Sequence, residues 1–346
     1  MNQEEMLELL DELIRAHGPI GDEREVEAVI LREFEATGAR VWQDGMSNIT
    51  AQVPGDGPKV LIAAHKDELG MIITHMADDG VLKVAPLGGP WPWKYGEGPL
   101  DIIATDGTIV QGVLSYGATH TRSGPVGEYR KGTRTPAWED VTVFTGMSRA
   151  ELRSTGVRVG SRAVVARSRK GLLRLANNHV GGFAFDNRVG VLIVIDALRQ
   201  LVNDPPGADI YISAPTAEET GYLGAIRVAQ LLQPEIVIAI DTSPLTPDTP
   251  TEFDTRPVIW VGEPGNSRPD CDTLIRLAEE LGIGSQEVVY PFAGSDAGGI
   301  QRIGLAARTM GFGPAYINSH GYEVTKAESL GNVTRLLLAY LRQLQA

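Results

Sequence analysis

The stretch K-V-L-I-A-A-H-K-D-E, residues 59–68, decides the fold. Its first six residues form a short apolar run without polar alternation, which is typical of a strand covered on both faces in an α/β sheet. His65 and Asp67, two residues of metal-binding types, follow the run directly. In open α/β sheets, ligands bind beyond the carboxyl ends of the strands. The stretch therefore predicts a buried strand with a candidate site at its end.

Two later segments repeat this design. The run D-I-Y-I-S-A at 209–214 is soon followed by Glu218 and Glu219, and the run I-V-I-A-I at 236–240 is followed by Asp241. Helical patterns lie between and after these runs, at 188–201, 222–232 and 273–281. Strands that alternate with helices predict an α/β fold with a mostly parallel sheet flanked by helices.

The segment between the first run and the helical pattern at 188–201 has a different composition. It is rich in Gly, Val and Thr, and its short strand-like pieces are separated by turn residues. We therefore expect a small β domain at 72–166, inserted into a catalytic domain formed by 1–71 and 167–346. A chain of 346 residues is also longer than a single hydrophobic core usually supports.

The composition argues against several classes of protein. A net charge of -13 disfavours binding to nucleic acid or to an anionic membrane, since such binding needs clustered Lys and Arg. The longest apolar run, 189–195, is too short to span a bilayer. Cys271 is the single cysteine, which excludes an intrachain disulfide, and the N-terminal residues resemble an amphipathic helix rather than a signal peptide. We expect a soluble, cytoplasmic protein.

The residues at the strand ends suit metal chemistry. A His can bind a metal through one ring nitrogen while a carboxylate such as Asp67 accepts the proton of the other nitrogen and fixes the tautomer. Glu218 and Glu219 cannot share a desolvated pocket as two anions unless cations are present or one is protonated. One of them would then bind metal and the other would move protons. Ordinary alternatives are a solvated turn for His65 and a helix start for the two acids.

Three further residues complete the candidate set. Asp186, ahead of a hydrophobic helix, is either its N-cap or a carboxylate that bridges two metals. Asp241 follows a buried run and must be hydrated, paired or bound to a cation. His320, in the polar segment N-S-H-G-Y-E, is either an exposed loop residue or a ligand. Mixed imidazole and carboxylate ligation suits Zn, Co or Mn better than Mg.

Separated blocks of the chain agree with one family in letters, order and spacing. They are G-P-I-G-D-E at 18–23, H-K-D-E-L-G at 65–70, D-N-R at 186–188, E-E-T-G-Y-L-G-A at 218–225, I-D-T at 240–242, G-S-D-A-G-G-I-Q at 294–301 and the late His320. On these blocks the chain resembles the glutamyl and deblocking aminopeptidases, self-compartmentalising metallo-aminopeptidases that assemble as hollow tetrahedra. The resemblance implies a zinc-peptidase-like three-layer sandwich with an inserted small β-barrel or PDZ-like dimerisation domain.

The resemblance also implies an activity and a metal site. N-terminal residues would be hydrolysed from peptides with a free N-terminus by a water molecule that bridges two divalent metal ions, Zn or Co in the first place and Mn in the second. His65 and Glu219 would belong to different metals, and Asp186 would bridge them. Asp241 and His320 would complete the two ligand sets.

The remaining roles follow from the same resemblance. Asp67 would orient the first histidine ligand, and Glu218 would be the general base. The loop with Gly294, Ser295 and Asp296 would let backbone approach the substrate, although a simple tight turn is an alternative. The inserted domain would make dimers that build a homo-oligomeric dodecamer.

The chain departs from the family pattern in two places. Ser319 and Gly321 flank the last histidine, where the family has an aromatic residue or Met before it and Ser after it. The insert carries W-P-W at 91–93 and T-H-T-R at 119–122. Other readings of the whole chain are a dinuclear metal deacylase or carboxypeptidase, a metal-free glycosidase that uses paired acids, and an inactive binding or scaffold protein.

Overall fold

The computed structural model describes residues 1–263 and 265–344. Its helices are α1 (Gln3–Arg15), α2 (Arg24–Glu35), α3 (Pro92–Tyr95), α4 (Gly124–Lys131), α5 (Arg149–Ser154), α6 (Phe185–Leu201), α7 (Leu223–Leu232), α8 (Arg268–Glu280), α9 (Asp296–Arg302) and α10 (Ala327–Leu341). Over these two ranges, no helix has the length and apolarity needed to cross a membrane.

The largest sheet has eight strands within the described ranges, in the order β1-β2-β12-β3-β13-β17-β15-β16. They are β1 (Arg40–Gln43), β2 (Ile49–Val53), β3 (Lys59–Ala63), β12 (Asp209–Ala214), β13 (Ile236–Ile240), β15 (Val258–Trp260), β16 (Gln286–Val288) and β17 (Arg308–Gly313). The four neighbours β12, β3, β13 and β17 are parallel, whereas β1, β2 and β15 make antiparallel pairs. The predicted parallel sheet is therefore the centre of a mixed one.

Strand β13 shows why the sheet lies between two layers of helices. Ile236, Ile238 and Ile240 belong to the large core that contains α1, α2, α6, α8 and α10. Val237 and Ala239 point to the opposite face and pack in the core that contains α7 and α9. Successive strand residues face opposite sides, so a continuous apolar run requires cover on both. The predicted α/β fold class is confirmed.

A smaller sheet lies beside the large one. Among the described residues it has five strands, in the order β10-β11-β19-β18-β14. They are β10 (Leu173–Arg174), β11 (His179–Gly182), β14 (Ser243–Pro244), β18 (Ala315–Ile317) and β19 (Glu323–Lys326). Pairing of β11 with β19 brings the start of α6 next to the hairpin between β18 and β19. Asp186 and His320 lie at these two places.

A closed barrel occupies the middle of the chain. Its strands, in a segment described without gaps, are β4 (Gly70–Met76), β5 (Leu82–Leu87), β6 (Gly98–Ile103), β7 (Ile109–Ser115), β8 (Thr142–Phe144) and β9 (Arg162–Val165). The barrel has its own apolar core, which includes Met71, Leu100 and Val143. Closure leaves no strand edge unpaired. The predicted inserted barrel is present, and its first and last strands, β4 and β9, pair with each other.

Candidate metal centre

Three neighbouring strands deliver the first group of candidate residues to one edge of the sheet. In the order β12-β3-β13, the chain leaves β3 towards His65, leaves β12 towards Glu218 and Glu219, and leaves β13 directly into Asp241. These strands are parallel, so their carboxyl ends meet at the same edge. The sequence prediction that these side chains converge agrees with their positions.

The smaller sheet supplies Asp186 and His320, and one carboxylate holds both. Glu323 accepts hydrogen bonds from the backbone N–H of Asp186 at 3.0 Å and from that of His320 at 2.9 Å. Asp186 does not cap α6, because its side-chain oxygens face His65 and Tyr316, whereas Oδ1 of Asn187 accepts the hydrogen bond from the helix N–H of Gly190 at 3.0 Å. Glu323, three residues after His320, has a role that the sequence alone did not indicate.

Asp186 lies between the two histidines. Its Oδ1 is 3.2 Å from Nε2 of His65, and its Oδ2 is 3.7 Å from Nε2 of His320. Asp241 approaches the first imidazole, with Oδ1 4.0 Å from Nε2, and Glu219 approaches the second, with Oε1 3.8 Å from Nε2. Three groups in the described part of the chain could each hold a metal ion, and two of them contain Asp186, one with His65 and Asp241 and one with Glu219 and His320. The third group is His65, Glu218 and Glu219.

Asp67 is buried and holds the backbone of the two glutamates in place. It accepts hydrogen bonds from the backbone N–H groups of Glu218 and Glu219 at 3.1 and 3.3 Å. Its Oδ1 lies 3.5 Å from Nδ1 of His65, on the ring nitrogen that faces away from Asp186. Burial alone would raise the pKa of Asp67, yet the adjacent imidazole and the two N–H groups hold this pKa below its ordinary value.

The acids of the cluster are crowded and buried. Burial, followed by repulsion from neighbouring carboxylates, raises the pKa values of Glu218, Glu219 and Asp241 well above their ordinary range. Oε1 of Glu219 is buried and meets no hydrogen-bond donor in the described part of the chain. Anions packed in this way call for cations. The donor set of imidazoles and carboxylates, with a free buried oxygen, fits divalent metal ions.

A cavity of about 450 Å³ opens above this cluster. Gly294 lines the cavity. Ser295 and Asp296 follow Gly294 but are buried and do not line the cavity. Ser295 makes hydrogen bonds at the start of α9 both as donor and as acceptor. Burial raises the pKa of Asp296 to about 7. Glu263, which accepts from the N–H and the hydroxyl of Ser295 at 2.7 Å each, was not indicated by the sequence.

The barrel contributes a loop to the site, which the sequence also did not indicate. The carbonyl oxygen of Gly89 lies 3.4 Å from Nδ1 of His320, on the far side of the ring from the cluster. Gly88 has φ +79°, and a Cβ there would lie 3.1 Å from Cβ of Glu219, so the backbone passes close to the acids. The indole N–H of Trp138 donates to the carbonyl of Pro90 at 2.8 Å and fixes the loop.

The fold and the site together define a class of protein, a metal-dependent hydrolase with an α/β catalytic sheet and an inserted barrel. The M42 glutamyl aminopeptidase family matches residues 47–336, and the chain belongs to this family. It is a metal-dependent aminopeptidase, a hydrolase that acts on peptide bonds. The family resemblance inferred from the sequence blocks is confirmed, and readings as another kind of hydrolase are more weakly supported.

Individual relatives cover nearly the whole chain. Lysyl aminopeptidase of Pyrococcus furiosus is 28% identical over 98% of this chain and 97% of its own length. The structure of an aminopeptidase from the archaeon Desulfurococcus kamchatkensis matches 99% of this chain and 95% of its own with a TM-score of 0.88 and 26% identity. The TET1 peptidase of Pyrococcus horikoshii, described as assembling into a tetrahedron or a large octahedral shell, matches 97% of this chain and 99% of its own with a TM-score of 0.85 and 25% identity.

Proposed function

We propose that the enzyme removes N-terminal residues from peptides with two divalent metal ions per subunit, Zn or Co most favourably and Mn as the alternative. His65, Asp186 and Asp241 would hold one ion, and Asp186, Glu219 and His320 would hold the other. The observation that carries the proposal is the position of Asp186, whose two oxygens face two different ligand groups. When bound, such ions polarise the scissile carbonyl and activate a water molecule.

Glu218 is the proposed general base. Its Oε2 lies 3.9 Å from Nε2 of His65, and its side chain lines the cavity where substrate would bind. Burial raises its pKa well above the ordinary value, which suits a carboxylate that must accept a proton near neutral pH. Glu218 would take a proton from the attacking water and later give it to the nitrogen of the leaving amine.

The neighbouring residues have positioning roles in this proposal. Asp67 would fix the tautomer of His65, and through its two N–H contacts it also fixes the backbone that carries Glu218 and Glu219. The carbonyl of Gly89 would orient His320 in the same manner from the barrel side. Gly294 would line the path of the substrate backbone, with Ser295 and Asp296 supporting that loop from behind.

We also propose that the barrel, with domain limits at 72–166, is a dimerisation domain and that dimers build a dodecamer. Support comes from the match in fold to the TET1 peptidase of Pyrococcus horikoshii over nearly the whole length of both chains. A cytoplasmic location remains a prediction from the single cysteine.

The roles of the adjacent glutamates are tested by two matched substitutions. Glu218→Gln should lower kcat by about 100-fold to 10,000-fold, the usual contribution of a general base, and leave the metal content near that of the parent protein. Glu219→Gln should lower the metal content itself. Glu8→Gln, on the exposed face of α1, makes the same chemical change away from the site and should retain full activity.

The measurements are metal analysis and hydrolysis of aminoacyl anilides, before and after chelation, with separate add-back of Zn, Co and Mn. Activity that survives complete removal of metal would refute the metal-dependent mechanism. A Glu218→Gln protein emptied of metal would show that the roles of the two glutamates are exchanged.

A further inference from the structure

The cavity above the metal cluster has one side built from aromatic rings. This aromatic wall consists of Trp260, Tyr290 and Phe292, all of which line the same cavity as the candidate metal ligands. Trp260 ends β15 and is 3% exposed, and Tyr290 follows β16 and is 7% exposed. Phe292, at 98% exposure, lies at the rim. A residue bound by its amino group at the cluster would direct its side chain into this space.

The polar atoms of the aromatic wall are already used inside the protein. The indole N–H of Trp260 donates to Oγ of Ser243 at 2.8 Å, and the hydroxyl of Tyr290 donates to the carbonyl of Pro244 at 3.0 Å. The two rings meet edge to face, with centroids 4.9 Å apart and planes at 72°. Because these hydrogen bonds turn the polar atoms away, the wall presents hydrocarbon to the cavity. The edge-to-face packing and the two bonds also make it rigid.

The charge around the cavity is one-sided. Among the described residues that line it, none is Lys or Arg. Asp248 is the one carboxylate of this lining outside the cluster, and it is exposed. The guanidinium of Arg302 stacks over the ring of Tyr222, 6.0 Å from its centroid, and does not line the cavity. A carboxylate on the substrate side chain would therefore lose its water without gaining a cation, which is costly.

We propose that this enzyme prefers substrates whose N-terminal residue has a large apolar or aromatic side chain and rejects acidic ones. The inference rests on the proposed function, because it takes the metal cluster as the anchor of the substrate amine. The volume of about 450 Å³ lies in the range of small-molecule sites, so a Phe or Leu side chain fits together with the start of the peptide. The aromatic wall is the specificity-determining surface, with Trp260 at its centre.

The test is a panel of Phe, Leu, Ala, Lys and Glu 4-nitroanilides on the metal-loaded enzyme. We expect kcat/KM for Phe or Leu to exceed that for Glu by at least about 100-fold, at the upper end of what one apolar contact supplies. Highest activity on Glu would overturn the inference while leaving the aminopeptidase function intact. Highest activity on Lys would also overturn it, in favour of recognition by Asp248. Absence of activity on every substrate would refute the proposed function and this inference together.

Two variants locate the preference. Trp260→Ala should lower kcat/KM for Phe by about 10-fold to 200-fold and for Ala by much less, because the Ala side chain is too short to reach the wall. Asp248→Lys, a change at an exposed residue that spares the core, should raise the Glu to Phe ratio of kcat/KM about fivefold, because it removes one negative charge and adds one positive charge.

Trp42→Ala is the matched control, because Trp42 packs on Tyr211 at the far edge of the sheet. It should keep the parental Phe to Ala ratio. Equal losses on Phe and Ala in Trp260→Ala, or an unchanged Glu to Phe ratio in Asp248→Lys, would show that the aromatic wall does not select the side chain.

Discussion

Replacing Lys170 with Met should strongly destabilise the protein, because this lysine neutralises a buried carboxylate. Its Nζ is fully buried and donates to both oxygens of Glu68, at 2.7 and 2.6 Å. Glu68 precedes the first barrel strand and Lys170 follows the last, so the pair joins the two chain crossings between barrel and sheet. The amino group also lies 3.1 Å from Nδ1 of His17, whose Nε2 contacts Asp101 of the barrel at 2.9 Å.

The expected loss in the free energy of unfolding depends on the partners that Glu68 keeps after Lys170→Met. Removing one partner of a buried ion pair costs about 3–5 kcal/mol, since the other charge is left without compensation. Glu68 would retain the N–H of Gly18 at 2.8 Å and Arg188 at 3.8 Å, so the lower end applies. We expect Lys170→Met to lower the free energy of unfolding by about 3 kcal/mol.

A double-mutant cycle separates the pair from its surroundings. Glu68→Gln with Lys170→Met should cost about 2 kcal/mol less than the sum of the single changes, because the second substitution removes the charge that the first left unpaired. The assay is urea unfolding followed by tryptophan fluorescence at fixed metal saturation. Lys131→Met, at an exposed position of the barrel, is the control and should stay within about 0.5 kcal/mol of the parent. A cost below about 1 kcal/mol for Lys170→Met, or additive single effects, would refute the reasoning.

Two further predictions concern pH dependence and assembly. Asp270 is buried, which would raise its pKa, but hydrogen bonds from Arg308 and from Tyr340 hold this pKa below the ordinary value. A lowered folded pKa contributes stability above the unfolded pKa of about 3.9 and loses it as pH falls. Asp270→Asn should thus lower the free energy of unfolding by about 1–2 kcal/mol at pH 7, a figure discounted because Arg308 is half-exposed. In urea titrations, this loss should become progressively smaller below about pH 4. In native mass spectrometry, the full chain should give a dodecamer and deletion of 72–166 should not; a monomeric full chain would contradict the assembly proposal.

The central strands could be predicted from the sequence because burial on both faces leaves a continuous apolar run. The runs at 209–214 and 236–240 coincide with β12 and β13. Strand β17 (308–313) and the short strands β18 and β19 were not predicted, since their lengths and mixed composition give no periodicity. Their strand state depends on pairing with distant segments. Local pattern was enough where burial on both faces coincides with an unbroken apolar run, whereas β17 is buried on both faces but carries two glycines and gave no such run.

The antiparallel parts of the sheet show the same limit. Alternating strands and helices predict parallel neighbours, which is correct for β12, β3 and β13. Nothing in the alternation indicates that β2 and β15 run in the opposite direction. The start of α8 was also placed too late, at 273 instead of Arg268, although Ser267 and Pro269 are the residue types that favour a helix start.

Only part of the candidate site could be predicted from the sequence, as was the case for the sheet. The types and order of His65, Asp186, Glu219 and Asp241 were visible in the sequence, because strand ends and a helix start place them where ligands are bound. What orients these residues was not visible. Glu323 joins the backbones of Asp186 and His320, and that contact exists only because β11 pairs with β19.

The insert that forms the barrel contacts His320 and Gly321, in the segment that departs from the family pattern. The loop with Gly89 and Pro90 comes from an insert whose sequence carries no metal-ligand pattern, yet its carbonyl faces Nδ1 of His320. A Cβ at Gly321 would lie 3.0 Å from Cδ of Lys94 in the same insert, so the flexible side chain of Lys94 would have to shift by a few tenths of an ångström to admit a larger residue after the histidine. The orientation of His320, the last proposed ligand, therefore depends on two parts of the chain that only the folded structure brings together.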